Sequence, residues 1–555
     1  MTNIAQKPFA WFLLGALILG VQGAPLSARD PAVTKVLVDA EKPIGPIGNL
    51  YNVGYDGFGD LTIPAMTKGF SDLGVKYFRL PIFLDELCGD KPGEYRWDAV
   101  MERDQGLDII ARIKKIQADG MTPLLVFCWH GFKGFHLPKW IHGDEGRGSW
   151  MNYNLDSTKA EKGYGDQLPV VTQIARDFSA HLVSNGLKGL RWETIYEMDG
   201  NKIVDLHYAV AKGIKESDPT ARIIGPATWP GLSIEEVFVK PYLAKYGPDL
   251  LDGISIHWYA NNDHGFWDQK PGLIDGTTIL TMGDKNLLNY LMNETPAYGT
   301  WVKSLAALLK DKSVNPTGKK FEIGYTEADI NSTSYYKRNP VNADWPKYNP
   351  EADVYHNTNY FGGVWWASLL GHVAASGTGA DVAKYNGRFY YGVEDCVPPD
   401  KAYRYPVWFA MKLLGDQGGL RSGRQMISAK AADDGTPILE AFATGSADDL
   451  RVIVVNKTFY PQAAEIEVSG LKDGDWTATT YLFDQTRVAP FIGKKPNSGD
   501  EEGNYKGFPD DSISEPSLLP TGEIKCTSVD GKMVLPIAPC PPVSFAVWTF
   551  KRAQK

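Results

Sequence analysis

The sequence lacks the residue patterns that metal centres, nucleotide sites and nucleic-acid surfaces require. Its five cysteines and nine histidines show no metal-ligand spacing such as CxxC or HExxH. No GxGxxG or GxxxxGK segment follows an apolar run, so a nucleotide site has no support. The formal net charge is −9 and no basic cluster stands out, which argues against nucleic acid as a partner. These absences predict a protein that works without a metal or another cofactor.

Long apolar runs are also scarce, and the one that stands out lies near the N-terminus. Lys7 precedes an apolar run over residues 9–21, and the small residues Gly23 and Ala28 follow it. This pattern predicts a secretory signal peptide over residues 1–28, with an uncleaved membrane anchor as the alternative. No run after residue 30 approaches the length of a membrane span. We therefore expect a secreted or periplasmic protein that does not contact the membrane after cleavage.

The few cysteines allow one disulfide at most near the C-terminus. Cys526 and Cys540 are close enough in sequence to close a small loop in an oxidising compartment. Cys88, Cys128 and Cys396 are dispersed, and we expect them to be mostly buried thiols.

What the sequence does contain, from about residue 50 to residue 415, is an alternation of short apolar runs and amphipathic stretches. Helical periodicity covers residues 101–120, 168–186, 352–374 and 405–415. The strand-like runs lie at residues 75–81, 121–130, 187–197, 221–229, 250–259 and 320–330, with a first strand near 49–57 and a last one within 378–394. Strands that alternate with helices favour a parallel sheet, and a count near eight favours a closed barrel. The prediction for residues 47–416 is an α/β fold, a (β/α)8 TIM barrel.

The pattern changes after Gly415 to short alternating runs separated by Gly, Asp, Asn and Pro. This pattern predicts a C-terminal antiparallel β-sandwich over residues 417–555. Residues 29–46 are expected to add an N-terminal strand to that sandwich. Residues 486–530 are rich in Gly, Pro, Ser and Asp, and we expect a long surface excursion there.

Polar side chains follow most of the predicted barrel strands. The residues at these ends are Arg79, Trp129 with His130, Glu197 with Asp199, Trp229, His257 with Tyr259, and Glu327 with Asp329. In a barrel of this type the C-terminal strand ends meet at one open face. Glu197 and Glu327 therefore form a candidate carboxylate pair, which is what glycoside hydrolysis needs. For a single strand-end glutamate, a helix-cap contact or a surface ion pair is the alternative.

The same residues carry a resemblance to a known group of enzymes. Arg79 after the second strand, an acid after the fourth, "HWY" after the sixth and "YTE" after the seventh resemble the clan A glycoside hydrolases. Within that clan, "RWETIYEMD" and "IGYTEADINST" are most similar to the W-E-x-W-N-E-P-D and T-E-[WF]-N-[TS]-S patterns of family 39, which includes β-xylosidases and α-L-iduronidases. A family 26-like pattern is a second choice, suggested by "YEMDG". The resemblance implies a (β/α)8 retaining enzyme that acts on a carbohydrate.

The resemblance also implies roles for individual residues. Glu197 takes the position of the general acid/base, and Glu327 that of the nucleophile. Arg79 and Tyr259 would keep the nucleophile ionised and oriented. His257 would touch the nucleophile or a substrate hydroxyl. For Arg79, His257 and Tyr259 the alternatives are a core ion pair, a strand histidine and an interface aromatic.

Other aromatic residues and acids are weaker candidates. Trp129, His130, Trp229 and Trp258 could contact sugar, although packing explains them equally well. Trp365 and Trp366 lie on an amphipathic helix and are expected in the core. Asp199 is the replacement for Glu197 should that residue prove structural.

Tyr196 is where the sequence departs from the clan. An Asn normally precedes the acid/base and donates to the sugar 2-hydroxyl, whereas Tyr offers one hydroxyl with a different reach. The substitution predicts a sugar that differs at its 2-position, a replacement donor such as Asn261 or Asn262, or a loss of turnover. Tyr196 is therefore a candidate substrate-binding residue.

Taken together, these patterns predict a secreted retaining glycoside hydrolase acting on a poly- or oligosaccharide. A retaining enzyme holds its two carboxyl groups about 5–5.5 Å apart, and an inverting one about 6.5–9.5 Å. The alternative hypothesis is a non-catalytic carbohydrate-binding protein on a degenerate glycosidase barrel.

Overall fold

The computed structural model describes most of the chain in segments. The described residues are 33–54, 64–82, 84–98, 107–127, 130–131, 134–135, 168–196, 203–228, 233–260, 284–330, 360–384, 391–392, 403–432, 439–458, 460–488 and 514–553. The signal peptide predicted for residues 1–28 lies outside them. No helix within these segments is long and apolar enough to cross a membrane.

Eight parallel strands close into a barrel. In chain order the barrel strands are Asn52–Val53, Tyr77–Pro81, Thr122–Val126, Arg191–Glu193, Arg222–Thr228, Gly253–Tyr259, Glu322–Asp329 and Asp381–Lys384. Each pairs with the next, and the eighth pairs with the first. Their apolar side chains are buried because one face packs on the surrounding helices and the other fills the barrel.

Helices surround the barrel, and four of them overlap the stretches with helical periodicity. Those within the described segments are Pro64–Leu73, Leu84–Leu87, Ile109–Ala118, Leu168–Ser184, Ile203–Ser217, Lys240–Tyr246, Asp284–Lys310, Tyr360–Ala375 and Pro406–Asp416. A π-helical turn, Glu235–Val239, and a 3₁₀ turn, Glu515–Leu518, complete the set. Helix Ile109–Ala118 begins where the Asp108 side chain accepts a hydrogen bond from the backbone N–H of Ala111 at 2.7 Å, a typical N-cap.

A second, mostly antiparallel sheet forms the rest of the molecule. In spatial order its strands are Pro520–Ser528, Gly474–Phe483, Ser544–Arg552, Leu450–Asn456, Leu439–Gly445, Gln425–Ala432, Val33–Pro46, Gln462–Ser469 and Lys532–Val534, and Ala538–Cys540 also pairs with Gln462–Ser469. Two short pairs, His130–Gly131 with Gly134–Phe135 and Tyr391–Gly392 with Tyr403–Arg404, lie outside both sheets. The closed barrel and the second sheet confirm the predicted fold class of TIM barrel plus β-sandwich.

One expectation about the second sheet needs correction. Residues 520–528 were expected in a surface excursion, but Pro520–Ser528 is an edge strand along Gly474–Phe483. The disulfide that Cys526 and Cys540 could have formed is not present, and both thiols are free. Cys526 lies on the strand paired with Gly474–Phe483, whereas Cys540 pairs opposite Gln462. Different strand partners therefore hold the two thiols.

A buried polar network joins the barrel to the second sheet. Glu440 accepts hydrogen bonds from the Ser368 hydroxyl at 2.5 Å and from His372 Nε2 at 2.8 Å, both on helix Tyr360–Ala375. Lys457 Nζ lies 2.5 Å from Glu440 Oε1 and donates to the Met292 carbonyl at 2.8 Å. Burial opposes ionisation, yet His372 and Lys457 lower the pKa of Glu440 to about 2. The junction is thus held by a satisfied ionic cluster as well as by apolar packing.

Candidate active site

Five of the residues predicted for the site lie together at the C-terminal ends of the barrel strands. They are Arg79 on the second strand, Tyr196 just after the fourth, His257 and Tyr259 on the sixth, and Glu327 on the seventh. All are buried, and Arg79, His257 and Glu327 have no solvent exposure. The barrel brings them together because its inward-facing side chains converge at this face.

Arg79 is the centre of the cluster, and all three of its guanidinium nitrogens have a partner. Nε donates to Glu193 Oε2 at 2.6 Å, and Nη2 lies 2.5 Å from the same oxygen. Nη1 donates to the Gly54 carbonyl at 3.0 Å and to Glu327 Oε1, and Nη2 contacts His257 Nε2 at 3.1 Å. With all three nitrogens engaged, the guanidinium has one orientation and fixes the groups around it.

Glu327 is held at both of its oxygens. Oε1 accepts from Arg79, and Oε2 accepts from the Tyr259 hydroxyl and lies 3.4 Å from His257 Nδ1. Burial raises the pKa of Glu327 to about 7, although Arg79 and Tyr259 act to lower it. The carboxyl is therefore protonated more easily than an ordinary glutamate while its position stays fixed.

An irregularity in the seventh strand places two consecutive residues in this cluster. The register against the sixth strand shifts between Tyr325 and Glu327. As a result Tyr325 donates outward to the Tyr298 carbonyl at 2.8 Å, while Thr326 and Glu327 both contact groups inside the barrel. Gly54 makes room for this strand, since a Cβ there would lie 2.5 Å from the Thr326 carbonyl oxygen and 3.2 Å from Glu327 Cγ.

The tautomer of His257 follows from its contact with Arg79. A guanidinium has no acceptor, so His257 Nε2 must accept the bond from Nη2. The proton of the neutral ring is then on Nδ1, which faces Glu327 Oε2. A second proton on Nε2 would point at a cation, and His257 therefore stays neutral in this arrangement.

Tyr196 packs on the cluster through its ring. The guanidinium carbon of Arg79 lies 5.1 Å from the ring centroid, a cation–π distance, and the His257 ring meets Tyr196 edge-on at 5.1 Å. Only 6% of Tyr196 is exposed. Its ring therefore lies against the groups that hold Glu327, and its predicted contact with a sugar stays a prediction.

Glu193, which was not among the predicted site residues, is a full member of the cluster. It ends the fourth strand, has no solvent exposure and shares Arg79 with Glu327. The hydroxyls of Ser255 and Thr326 donate to its other oxygen at 2.5 and 2.7 Å. The signal that could have indicated Glu193 is strand alternation. Arg191 and Glu193 are two residues apart, so their side chains point to the same face of the strand, and the intervening Trp192 points to the other face.

Several predicted site residues fall outside the described segments. They are Glu197, Trp129, Asp199, Trp229, Asn261 and Asn262. His130 is described only by its backbone, which pairs with Phe135.

Four further residues from the strand-end and tryptophan predictions contact groups other than the Arg79 cluster or pack in the core. Trp258 stacks on Tyr298 of the outer helix Asp284–Lys310 at 4.6 Å. Asp329 forms a fully buried ion pair with Lys384, whose ammonium lies 5.2 Å from the ring centre of Trp366. Trp365 and Trp366 are fully buried, so packing explains them.

Within the described segments, no group of three or more His, Cys, Asp and Glu side chains is arranged to hold a metal ion. What the cluster offers is a carboxylate fixed by an arginine, a tyrosine and a neutral histidine. Such a group suits nucleophilic attack or electrostatic stabilisation of a positive charge on a substrate.

Comparison with known proteins identifies relatives by structure alone. No family model matches the sequence, and no curated protein matches it. The fold is similar to a monomeric β-xylosidase from Caulobacter crescentus CB15, with 16% identity, a TM-score of 0.54, and coverage of 94% of this chain and 99% of that one. A GH39 enzyme from Xanthomonas axonopodis pv. citri gives 14% identity, a TM-score of 0.55, and coverage of 96% and 100%. The fold is also similar to a family 51 α-L-arabinofuranosidase from Bifidobacterium longum, with 14% identity, a TM-score of 0.56, and coverage of 94% of this chain and 100% of that one.

These similarities extend over nearly the whole length of each protein. They confirm the resemblance to clan A glycoside hydrolases at the level of the fold, barrel and second sheet together. A fold can carry many activities, so the activity has to be argued from the residues of the site.

Proposed function

We propose that this protein is a retaining glycoside hydrolase with Glu327 as its nucleophile and Glu197 as its general acid/base. The observation that carries the proposal is the environment of Glu327, a buried carboxyl at the end of the seventh barrel strand. Arg79, Tyr259 and His257 fix both of its oxygens. A carboxylate whose orientation is fixed by contacts to both of its oxygens is preorganised for attack on an anomeric carbon.

The assignment of Glu197 is supported by its neighbour in the chain. Tyr196 packs on Arg79 and His257, and both of these residues contact Glu327. Glu197 is the next residue after Tyr196. An acid that follows the fourth strand at this point is suited to act from the other side of a sugar bound over Glu327.

The proposed reaction has two steps. In the first, a Glu327 oxygen forms a bond to the anomeric carbon, the bond to the leaving oxygen breaks, and Glu197 transfers its proton to that oxygen. In the second, water attacks the anomeric carbon, gives its proton to Glu197, and Glu327 leaves as a carboxylate. Arg79 and Tyr259 stabilise the charge that Glu327 carries before the first step and after the second.

The structural relatives are named for acting on xylosides and arabinofuranosides. A substrate screen should therefore begin with pentosides and extend to the common hexosides and their polysaccharides.

The test is turnover and its stereochemistry. The wild-type protein and the variants Glu197→Gln and Glu327→Gln are incubated with the glycoside panel, and the anomer formed first is observed by NMR. We expect the wild type to release a product of retained configuration and both variants to lose activity by orders of magnitude. A product of inverted configuration would contradict the two-step reaction. Binding of a glycan without any product would favour the carbohydrate-binding protein instead.

We further propose that the protein is exported. The apolar run over residues 9–21 and the small residues that follow it support this proposal. N-terminal sequencing of the protein made in an exporting host should give a start near residue 29. A full-length N-terminus in the cytoplasmic fraction would contradict it.

A further inference from the structure

Among the described residues, the Arg79 cluster contains one more carboxyl than its cations can neutralise. Arg79 brings one positive charge, and Glu193 and Glu327 both contact it from fully buried positions. A buried charge without compensation is costly, so the cluster favours one additional proton near neutral pH. The question is where that proton resides.

The contacts within the described segments distinguish three candidate sites, which are His257, Glu193 and Glu327. His257 does not take the proton at Nε2 because this atom accepts from Arg79. Both carboxyls accept at both oxygens, but Glu193 is contacted by two Arg79 nitrogens and by the Ser255 and Thr326 hydroxyls. Glu327 has fewer donors directed at it, namely Arg79, the Tyr259 hydroxyl and the more distant His257 Nδ1. The extra proton therefore belongs to Glu327.

Other charged groups around the two carboxyls do not change this balance. Among the described residues, Arg79, Tyr259 and His257 contact Glu327, Tyr77 interacts with Glu193, and Tyr196 acts on Arg79. The pKa of Tyr77 is raised well above its ordinary value by burial, so this phenol stays neutral. Lys384 is paired with Asp329.

We propose that Glu193 is a positioning residue that divides the charge of Arg79 between two carboxylates and so sets the pH at which Glu327 becomes an ionised nucleophile. The proposal rests on the proposed role of Glu327. Its geometric basis is that Glu193 binds Arg79 through two guanidinium nitrogens and is locked by hydroxyls from the sixth and seventh strands. Burial raises the pKa of Glu327, and Glu193 adds to that increase as a like charge.

The substitution Glu193→Gln separates charge from shape. The amide oxygen can still accept from Arg79, and the amide nitrogen can donate to Ser255 and Thr326, since hydroxyls both donate and accept. Arg79 then serves Glu327 alone. We expect the acid limb of the kcat/KM profile to move to lower pH by about one unit or more. Glu193→Asp keeps the charge, and its acid limb should stay near that of the wild type.

A matched control is Glu322→Gln. Glu322 begins the same strand that carries Glu327, and it also pairs with arginines, Arg191 and Arg222. The Glu322→Gln substitution removes one carboxylate from an ion pair of the barrel. Glu322 lies five residues before Glu327 on this strand, which is roughly 16 Å. We expect lower thermal stability and an unchanged acid limb. An equal shift in Glu322→Gln would mean that any lost carboxylate moves the profile, and the proposal would fail.

Infrared titration tests the proposal without turnover. The carbonyl bands of protonated buried carboxyls are followed from pH 4 to pH 9 in the wild type, Glu193→Gln and Glu327→Gln, and the Glu327→Gln spectrum serves as the baseline because burial also raises the pKa of Asp329. We expect the wild type to show a band above this baseline that disappears near neutral pH, and we expect the same band to disappear at lower pH in Glu193→Gln. No such band in the folded wild type, or the same midpoint in Glu193→Gln, would overturn the proposal. If these spectra are as expected but no glycoside is cleaved, the proposed function fails and the role of Glu193 in the ionisation of Glu327 remains.

Discussion

The hydrogen bond from Tyr259 to Glu327 allows the effect of one substitution to be worked out. Tyr259→Phe removes the hydroxyl that donates to Glu327 Oε2 and leaves the buried ring in place. A hydrogen bond to a charged group contributes about 1.5–3 kcal/mol. At 1.36 kcal/mol per unit, its loss should raise the pKa of Glu327 by about 1–2 units.

The consequence for activity depends on pH. Burial holds the pKa of Glu327 well above that of an ordinary glutamate. On the acid limb, a further rise of 1–2 units lowers the ionised fraction of Glu327, and with it kcat/KM, by about 10- to 100-fold. The deficit should shrink as the pH rises, because the carboxyl ionises again. The measurement is the pH profile of kcat/KM for both proteins on one aryl glycoside.

Tyr325→Phe is the matched control for this substitution. Tyr325 lies on the same strand as Glu327, is fully buried and donates to the Tyr298 carbonyl on the outer side of the barrel. Its loss should cost about 1 kcal/mol of unfolding free energy and leave the acid limb unchanged. If Tyr259→Phe keeps the wild-type profile, or loses the same factor at every pH, the reasoning about Glu327 is refuted.

Three other substitutions test the cluster, the buried ion pair and the domain junction. Tyr196→Phe keeps the ring on Arg79 and removes the hydroxyl predicted to contact sugar, so kcat/KM should fall by about tenfold with little change in melting temperature; unchanged kinetics would remove Tyr196 from the sugar contacts. Lys384→Met leaves Asp329 unpaired, and urea unfolding at pH 8 should show a loss of about 3–5 kcal/mol. Part of that loss should return in acid, since burial already raises the pKa of Asp329 to about 6 and protonation relieves the unpaired charge; an equal loss at both pH values would contradict this. Glu440 has its pKa lowered to about 2, so it stabilises the fold above pH 4.5 and loses that contribution as the pH falls toward 2. Glu440→Gln should therefore lower the unfolding free energy at pH 7 by up to about 3 kcal/mol. The unfolding free energy of this variant should also decrease less between pH 4.5 and pH 2 than that of the wild type. An equal decrease in both proteins would argue against the junction network.

The barrel was predictable from the sequence because its strands and helices differ in apolar period. Runs such as residues 320–330 are apolar enough for a buried strand and end in acids, so Glu327 stood out at a strand end. Arg79, His257 and Tyr259 were found by the same reasoning. Their mutual contacts follow from barrel closure, which places strand ends together whatever their separation in sequence.

The parts that were missed depend on contacts that sequence alone does not carry. Glu193 looks like an ordinary charged residue until Arg79, Ser255 and Thr326 are placed around it. The register shift in the seventh strand is a local irregularity, and no residue type in that strand predicts it. The strand Pro520–Ser528 was not predicted because most of its residues are exposed or half-buried. An exposed edge strand needs little alternation of apolar and polar residues.

The central claim is that Glu327 forms a covalent bond to the sugar, and trapping that bond tests it most directly. The protein is incubated with a 2-deoxy-2-fluoro glycoside bearing a good leaving group, digested with trypsin, and analysed by mass spectrometry. Cleavage after Lys320 and Lys337 yields the peptide of residues 321–337 with Glu327, and cleavage after Arg191 and Lys202 yields residues 192–202 with Glu193 and Glu197. We predict one added sugar on the 321–337 peptide, fragmenting at Glu327, and none in Glu327→Gln. A label on the 192–202 peptide, or turnover of the matching substrate without any covalent adduct, would contradict the account.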